Sequence, residues 1–133
     1  MKREIEVSAA LIFENGKMFA TKRGDSPFAY VAHKYEFPGG KIEKGETPEN
    51  ALIREMKEEL EMAVEVERLF AVSRYEYPDF IITLHLFECR RKSNFILKEH
   101  EDAVWLSPSQ IDEDAFAPAD GEVLRSIKRV FGS

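Results

Sequence analysis

Apolar and polar positions alternate from Glu4 to Phe13, with Val7, Ala9, Leu11 and Phe13 on one side. That period of two predicts a strand. Asn15-Gly16 follows, and Met18 to Lys22 is apolar again. Asn-Gly between two such runs predicts a tight hairpin, because both turn positions need positive φ. Arg23 to His33 reads as a loop; its Phe28, Ala29, Tyr30, Val31 and Ala32 are too apolar for full solvation, so part of it packs down. Lys34 to Phe37 reads as a short strand ended by Pro38-Gly39-Gly40. At Thr47-Pro48 the period changes. Hydroxyl cap and proline predict a helix start, and the helix runs to about Leu60 with Leu52, Ile53, Met56 and Leu60 as its buried stripe.

Val64 to Tyr77 reads as one or two strands, Pro78-Asp79 as a turn, and Phe80 to Arg90 as a long strand with Ile82, Leu84 and Leu86 on one face. Phe95 to Leu97 and Asp102 to Leu106 read as short strands. Ser107-Pro108 starts a short helix. The last helix spans about Gly121 to Phe131, with Val123, Leu124, Ile127, Val130 and Phe131 as its apolar face and Asp120 as its cap. Strands, helix, strands, helix predict an α+β fold: a mixed sheet with helices packed against it. No repeat or linker divides residues 1–133, so one domain is expected.

Composition narrows the function. The chain has 44% apolar and 33% charged residues, an ordinary soluble balance. No apolar run approaches a membrane span, and Met1-Lys2-Arg3-Glu4 leads straight into a strand with no signal-peptide core. One cysteine, Cys89, fits a reducing, cytoplasmic setting and reads as a core or edge residue. The net charge of −6 argues against a nucleic-acid polymer as partner. It leaves room for a small anionic substrate whose charge is bridged by metal ions.

Glu55, Glu58, Glu59 and Glu61 crowd the end of the first predicted helix. Like charges on adjacent turns repel. At about 100° per residue, Glu55, Glu58 and Glu59 fall within an arc of roughly 100° beside the buried stripe, with Arg54, Lys57 and Glu61 on the far, solvated side. Acids at the boundary of core and solvent suit Mg²⁺, which takes carboxylate oxygens and bridges them to phosphates.

This stretch resembles the Nudix box, G-x5-E-x7-R-E-U-x-E-E-x-G-U, with U aliphatic. Gly40, Glu46, Arg54, Glu55, Met56, Glu58, Glu59 and Met62 fall on its positions. The last glycine is replaced by Glu61, which bears on the helix exit, where a left-handed residue is easiest for Gly. Further matches extend along the chain: Lys22-Arg23, the run Glu36 to Glu43 (EFPGGKIE), Tyr75 to Asp79, Ile82-Thr83-Leu84 and Ala117 to Asp120 resemble the MutT-like group. The resemblance implies an α/β/α sandwich, with the sheet between the box helix and a C-terminal helix. It implies Mg²⁺-dependent hydrolysis of a nucleoside triphosphate to monophosphate and pyrophosphate, with Mn²⁺ as an alternative ion. A second reading is another nucleoside diphosphate linked to a further group, such as ADP-ribose or a dinucleoside polyphosphate. A third is a nucleotide-binding module without catalysis.

By the same resemblance, Glu55, Glu58 and Glu59 are metal ligands, and one of them is a candidate general base. The Gly39 carbonyl and the loop acid Glu99 join them, and Glu46 pairs with Arg54. Arg23 and Lys41 are candidates for the phosphates. Asp120 faces the base, and Phe37, Tyr77 and Ile82 are candidates to pack on it, each also a plausible core residue. An ionised Asp only accepts hydrogen bonds, which suits an exocyclic amine, whereas a protonated one also donates. That tilts the expectation toward a cytidine-type or broad base preference. His100 is expected to be exposed, and His33 and His85 have no evident partner. The chain is expected to act as a monomer or homodimer.

Overall fold

The computed structural model describes residues 1–132. β1 (Arg3–Glu14) is the spine. Its C-terminal end turns through Asn15 and Gly16, both at positive φ as the turn requires, into β2 (Lys17–Lys22). β2 then pairs with β3 (Tyr35–Glu36) and with β7 (Asp102–Leu106). The other half of β1 pairs with β4 (Gly39–Lys41) and, in parallel, with β6 (Phe80–Arg91), which is flanked by β5 (Val64–Glu76). The result is a mixed, seven-stranded sheet in the order β3-β2-β1-β6-β5, with β4 and β7 off that path.

Two helices cover the faces. α1 (Pro48–Leu60), capped by Thr47, and α2 (Gly121–Phe131) keep the bounds that the sequence predicts. Because side chains alternate across a strand, β1 feeds both layers: Ala10 and Ile12 meet Leu52, Met56 and Leu60 of α1, while Ala9 and Leu11 join Val123, Leu124 and Ile127 of α2. This is the α+β sandwich expected. Cys89 is buried in the α1 layer, and burial pushes its thiol up to about 12, so it is a core residue. Among the described residues, no helix is long and apolar enough to cross a membrane.

Four expectations about elements change. Ile53 is 42% exposed and Val130 63% exposed; Ala51 takes the place of Ile53 in the buried stripe. Phe95 to Leu97 forms no strand, because Phe95 packs edge-on against Phe19 at 4.9 Å and the Ile96 N–H bonds the Leu60 carbonyl at 2.7 Å instead of a neighbouring strand. Gly39-Gly40 does more than end β3: it starts β4, where a Cβ on Gly39 would collide with the Ser8 carbonyl and Ala9 backbone. Ser107-Pro108 starts only a single 3-10 turn, Pro108–Gln110.

The helix exit shows what the missing box glycine costs. Glu61 is held left-handed at φ 50, while its N–H bonds the Lys57 carbonyl at 3.0 Å and the Met62 N–H bonds the Met56 carbonyl at 3.1 Å. Glu61→Gly is expected to raise stability by about 1 kcal/mol in chemical denaturation. The exposed Lys98 contact it gives up, at 3.3 Å, is worth less than that.

Candidate active site

The turn between β4 and α1 is tied to the helix by one guanidinium. Arg54 donates through Nε to Glu46 at 2.7 Å and through Nη2 to the other Glu46 oxygen at 2.9 Å. The same Nη2 reaches the Lys41 carbonyl at 3.0 Å, and Nη1 reaches Glu55 at 2.8 Å and Glu58 at 3.0 Å. Arg54 therefore does not lie on a far, solvated side, as helix geometry alone suggests: it stands one turn before Glu58, and the folded-back Glu46 draws it inward. This fork holds the Glu46 carboxyl down to about 2.

Glu55 is largely enclosed, with its side chain 12% exposed. It abuts the turn so closely that a Cβ at Gly40 would run into its carboxylate. Burial raises its pKa against the pull of Arg54, and the Glu59 and Glu58 charges add to the rise. Glu59 is half-buried and makes no hydrogen bond or ion pair among the described residues. Along β4, the Ala10 N–H bonds the Pro38 carbonyl and the Ile42 N–H bonds the Glu6 carbonyl, both at 2.9 Å. In an antiparallel ladder the alternate residues Gly39 and Lys41 then turn their carbonyls away from β1. Lys41's is taken by Arg54; Gly39's points out on the same edge.

No three acidic, histidine or cysteine side chains stand ready-clustered around a metal position among the described residues. The donor set nonetheless fits a hard divalent cation. It offers oxygens only, one of them an outward backbone carbonyl, and its central carboxylate is burdened by two like charges that a cation would relieve.

A second set of polar groups gathers beside β3. Arg23 pairs with Glu36 at 3.3 Å, and His100 Nε2 lies 3.8 Å from the same carboxylate. Asp120 is buried, and its Oδ2 has no hydrogen-bond partner. Burial raises its pKa well above the ordinary range, the Glu36 charge raises it further, and Arg23 opposes both. Its side chain makes no capping bond to α2, so the capping expectation fails. Because the folded state holds this proton more tightly, the associated stability is full below the ordinary value of 3.8 and is lost as pH rises through the folded value. Asp120→Asn is therefore expected to raise the melting temperature at pH 7–8, by the equivalent of about 1–2 kcal/mol, with the gain fading toward pH 4.

The chain matches the NUDIX domain family over residues 2–127. It belongs to the Nudix family. It is 37% identical over 130 residues to the 8-oxo-dGTP diphosphatase of Escherichia coli (strain K12), covering 96% of this chain and 99% of the relative. It is 34% identical over 124 residues to the CTP pyrophosphohydrolase of the same organism, covering 92% and 90%. The solution structure of the E. coli ORF135 protein superposes with a TM-score of 0.81 at 33% identity, covering 97% of this chain and 93% of that one. The protein is thus a Nudix hydrolase.

Within this Nudix hydrolase, Arg54 brings Glu46, Glu55 and Glu58 together, and the β4 turn abuts Glu55 at Gly40. Lys41 and Glu99 are exposed, and the Glu99 carboxylate has no partner among the described residues. Phe37 is a core residue: it is buried on the α2 side, its ring 6.3 Å from Phe116. Tyr77 is also buried. Its ring stacks on Tyr30 at 4.7 Å, with Phe80 at 5.1 Å, and its hydroxyl accepts the Ala119 N–H at 2.9 Å. It supports the segment before Asp120 and presents no free face. Ile82 is half-buried beside the same cluster. His100 is not exposed: its side chain is 11% accessible, and Nδ1 is buried without a partner. His33 and His85 do have partners, Asp25 at 2.8 Å and Glu6 at 2.9 Å. Sequence reasoning missed Glu36 and Tyr30. The apolar loop around Tyr30 hinted at packing; nothing local marked Glu36 as the meeting point of Arg23 and His100.

Proposed function

We propose that this Nudix hydrolase is a Mg²⁺-dependent pyrophosphohydrolase that converts nucleoside triphosphates and water to nucleoside monophosphates and pyrophosphate. The observation that carries it is the Gly39 carbonyl, turned out of the β4 ladder on the edge that faces Arg54 and the box acids. Gly39, Glu55, Glu58, Glu59 and Glu99 are the proposed ligands, with Mn²⁺ as an alternative ion. When bound, the cation neutralises phosphate charge and polarises a phosphoryl oxygen. The box acids orient the attacking water, and one of them takes its proton. Arg23 and Lys41 are the proposed partners of the phosphate oxygens. A single P–O bond between the α and β phosphorus atoms is broken.

Asp120 with Ile82 forms the base side. Burial and the Glu36 charge raise the pKa of its carboxyl; carrying a proton it offers both a donor and an acceptor, and ionised it only accepts. That supports a broad preference covering cytosine and oxidised guanine nucleotides, in keeping with relatives named for 8-oxo-dGTP and CTP. The test is kcat/KM across CTP, dCTP, 8-oxo-dGTP, dATP, ADP-ribose and a dinucleoside polyphosphate. We expect values for CTP and 8-oxo-dGTP within about a hundredfold, the range that one pocket contact discriminates. Turnover confined to ADP-ribose or the dinucleotide would contradict the reading.

A further inference from the structure

We propose that His33 and His100 are positioning residues that fix the loop bearing Glu99 for the reaction; this rests on the role proposed for Glu99 above. Glu99 lies in the β6–β7 connection, exposed, with an unpartnered carboxylate. The residue on its C-terminal side and the one beyond are both pinned, and by different parts of the fold. His100 turns inward, with Nε2 3.8 Å from Glu36 on β3. Glu101 donates its N–H to the Lys22 carbonyl at 2.9 Å, and its carboxylate contacts His33 Nδ1 and lies 3.8 Å from Lys22 Nζ.

The other nitrogen of His33 is 2.8 Å from Asp25, so the ring bridges the β2–β3 loop to the β6–β7 loop. Close by, a Cβ on Gly24 would lie 3.7 Å from the Glu99 carbonyl, so the two loops run in contact. His33 itself is held left-handed at φ 58.

The contacts of His33, Asp25, Lys22 and Glu101 are exposed or half-exposed and contribute little to global stability, whereas the His100 side chain is only 11% accessible. Their shared feature is where they act: together they hold the backbone beside one free acid. An acid whose neighbours are fixed beforehand meets the phosphate chain in place, and small displacements of such groups cost rate more than binding.

The experiment is a double-mutant cycle of His33→Ala with Glu99→Gln, read as kcat and KM at saturating Mg²⁺. It is joined by hydrogen exchange of the loop amides and by melting temperature. His33→Ala is expected to lower kcat about tenfold with KM changed less than about twofold. The loop amides around Glu99 should exchange faster, with the β1 and β6 amides unchanged and the melting temperature near wild type. In the Glu99→Gln background, His33→Ala should cost nothing more. His100→Gln should show the same pattern, and His33→Ala carries the test if that buried variant folds poorly. Equal losses in both backgrounds, or wild-type kcat in His33→Ala, overturn the positioning role. If Glu99→Gln itself keeps wild-type kcat, the role of Glu99 falls first and this inference with it. If Glu99→Gln is slow while His33→Ala is not, only this inference fails.

Discussion

Glu59→Gln is expected to lose roughly 10²–10³ in kcat/KM, the scale seen when one charged contact to a reacting centre is removed. The fold should not suffer. Glu55 and Glu58 are held by Arg54, whereas Glu59 has no partner among the described residues. It also adds to the charge that raises the Glu55 pKa. Removing it relieves a like-charge pair and should leave stability unchanged or higher by a few tenths of a kcal/mol. Activity and stability then move in opposite directions, as they do for a residue kept for chemistry. A melting temperature several degrees lower, or a near-wild-type rate, would place Glu59 among structural surface acids.

Arg54→Met should instead lower both. The guanidinium serves Glu46, Glu55, Glu58 and the Lys41 carbonyl at once, so its loss leaves a partly buried carboxylate at Glu55 uncompensated. Hydrogen bonds to charged groups and the cost of stranding one partner set the loss at about 2–3 kcal/mol. Arg54→Lys should restore little of it, because a point charge does not reproduce the fork on Glu46. The acid limb carries a further signature. With the Glu46 carboxyl lowered to about 2 in the fold, its contribution is present above the ordinary value of 4.5 and is lost as pH falls toward 2. In Arg54→Met that part of the pH dependence should flatten, which urea midpoints between pH 2 and 5 would show.

The parts of the fold set by local chemistry were legible in the sequence. Thr47-Pro48 marks the start of α1 because cap and proline act within one turn, and Asn15-Gly16 marks the hairpin because its dihedrals demand those residues. The box, a fixed spacing, located the helix acids and the Glu46–Arg54 pair. What failed was decided by distant partners. Gly39-Gly40 carries no strand propensity and becomes β4 only because β1 runs beside it. Ile53 and Val130 fit the helical period, but no layer covers them. Asp120 has the look of a helix cap, yet it is buried with its Oδ2 unpartnered and makes no capping bond. The inward turn of His100 likewise depends on Glu36, far away in the chain.

The measurement that tests the account most directly is product identity. The purified protein is incubated with CTP and with 8-oxo-dGTP in Mg²⁺ and in chelator, and the products are followed by phosphorus NMR. The account predicts nucleoside monophosphate and pyrophosphate in equal amounts, formed only with the cation. Diphosphate and inorganic phosphate, turnover that survives chelation, or tight Mg²⁺-dependent binding with no product would contradict it.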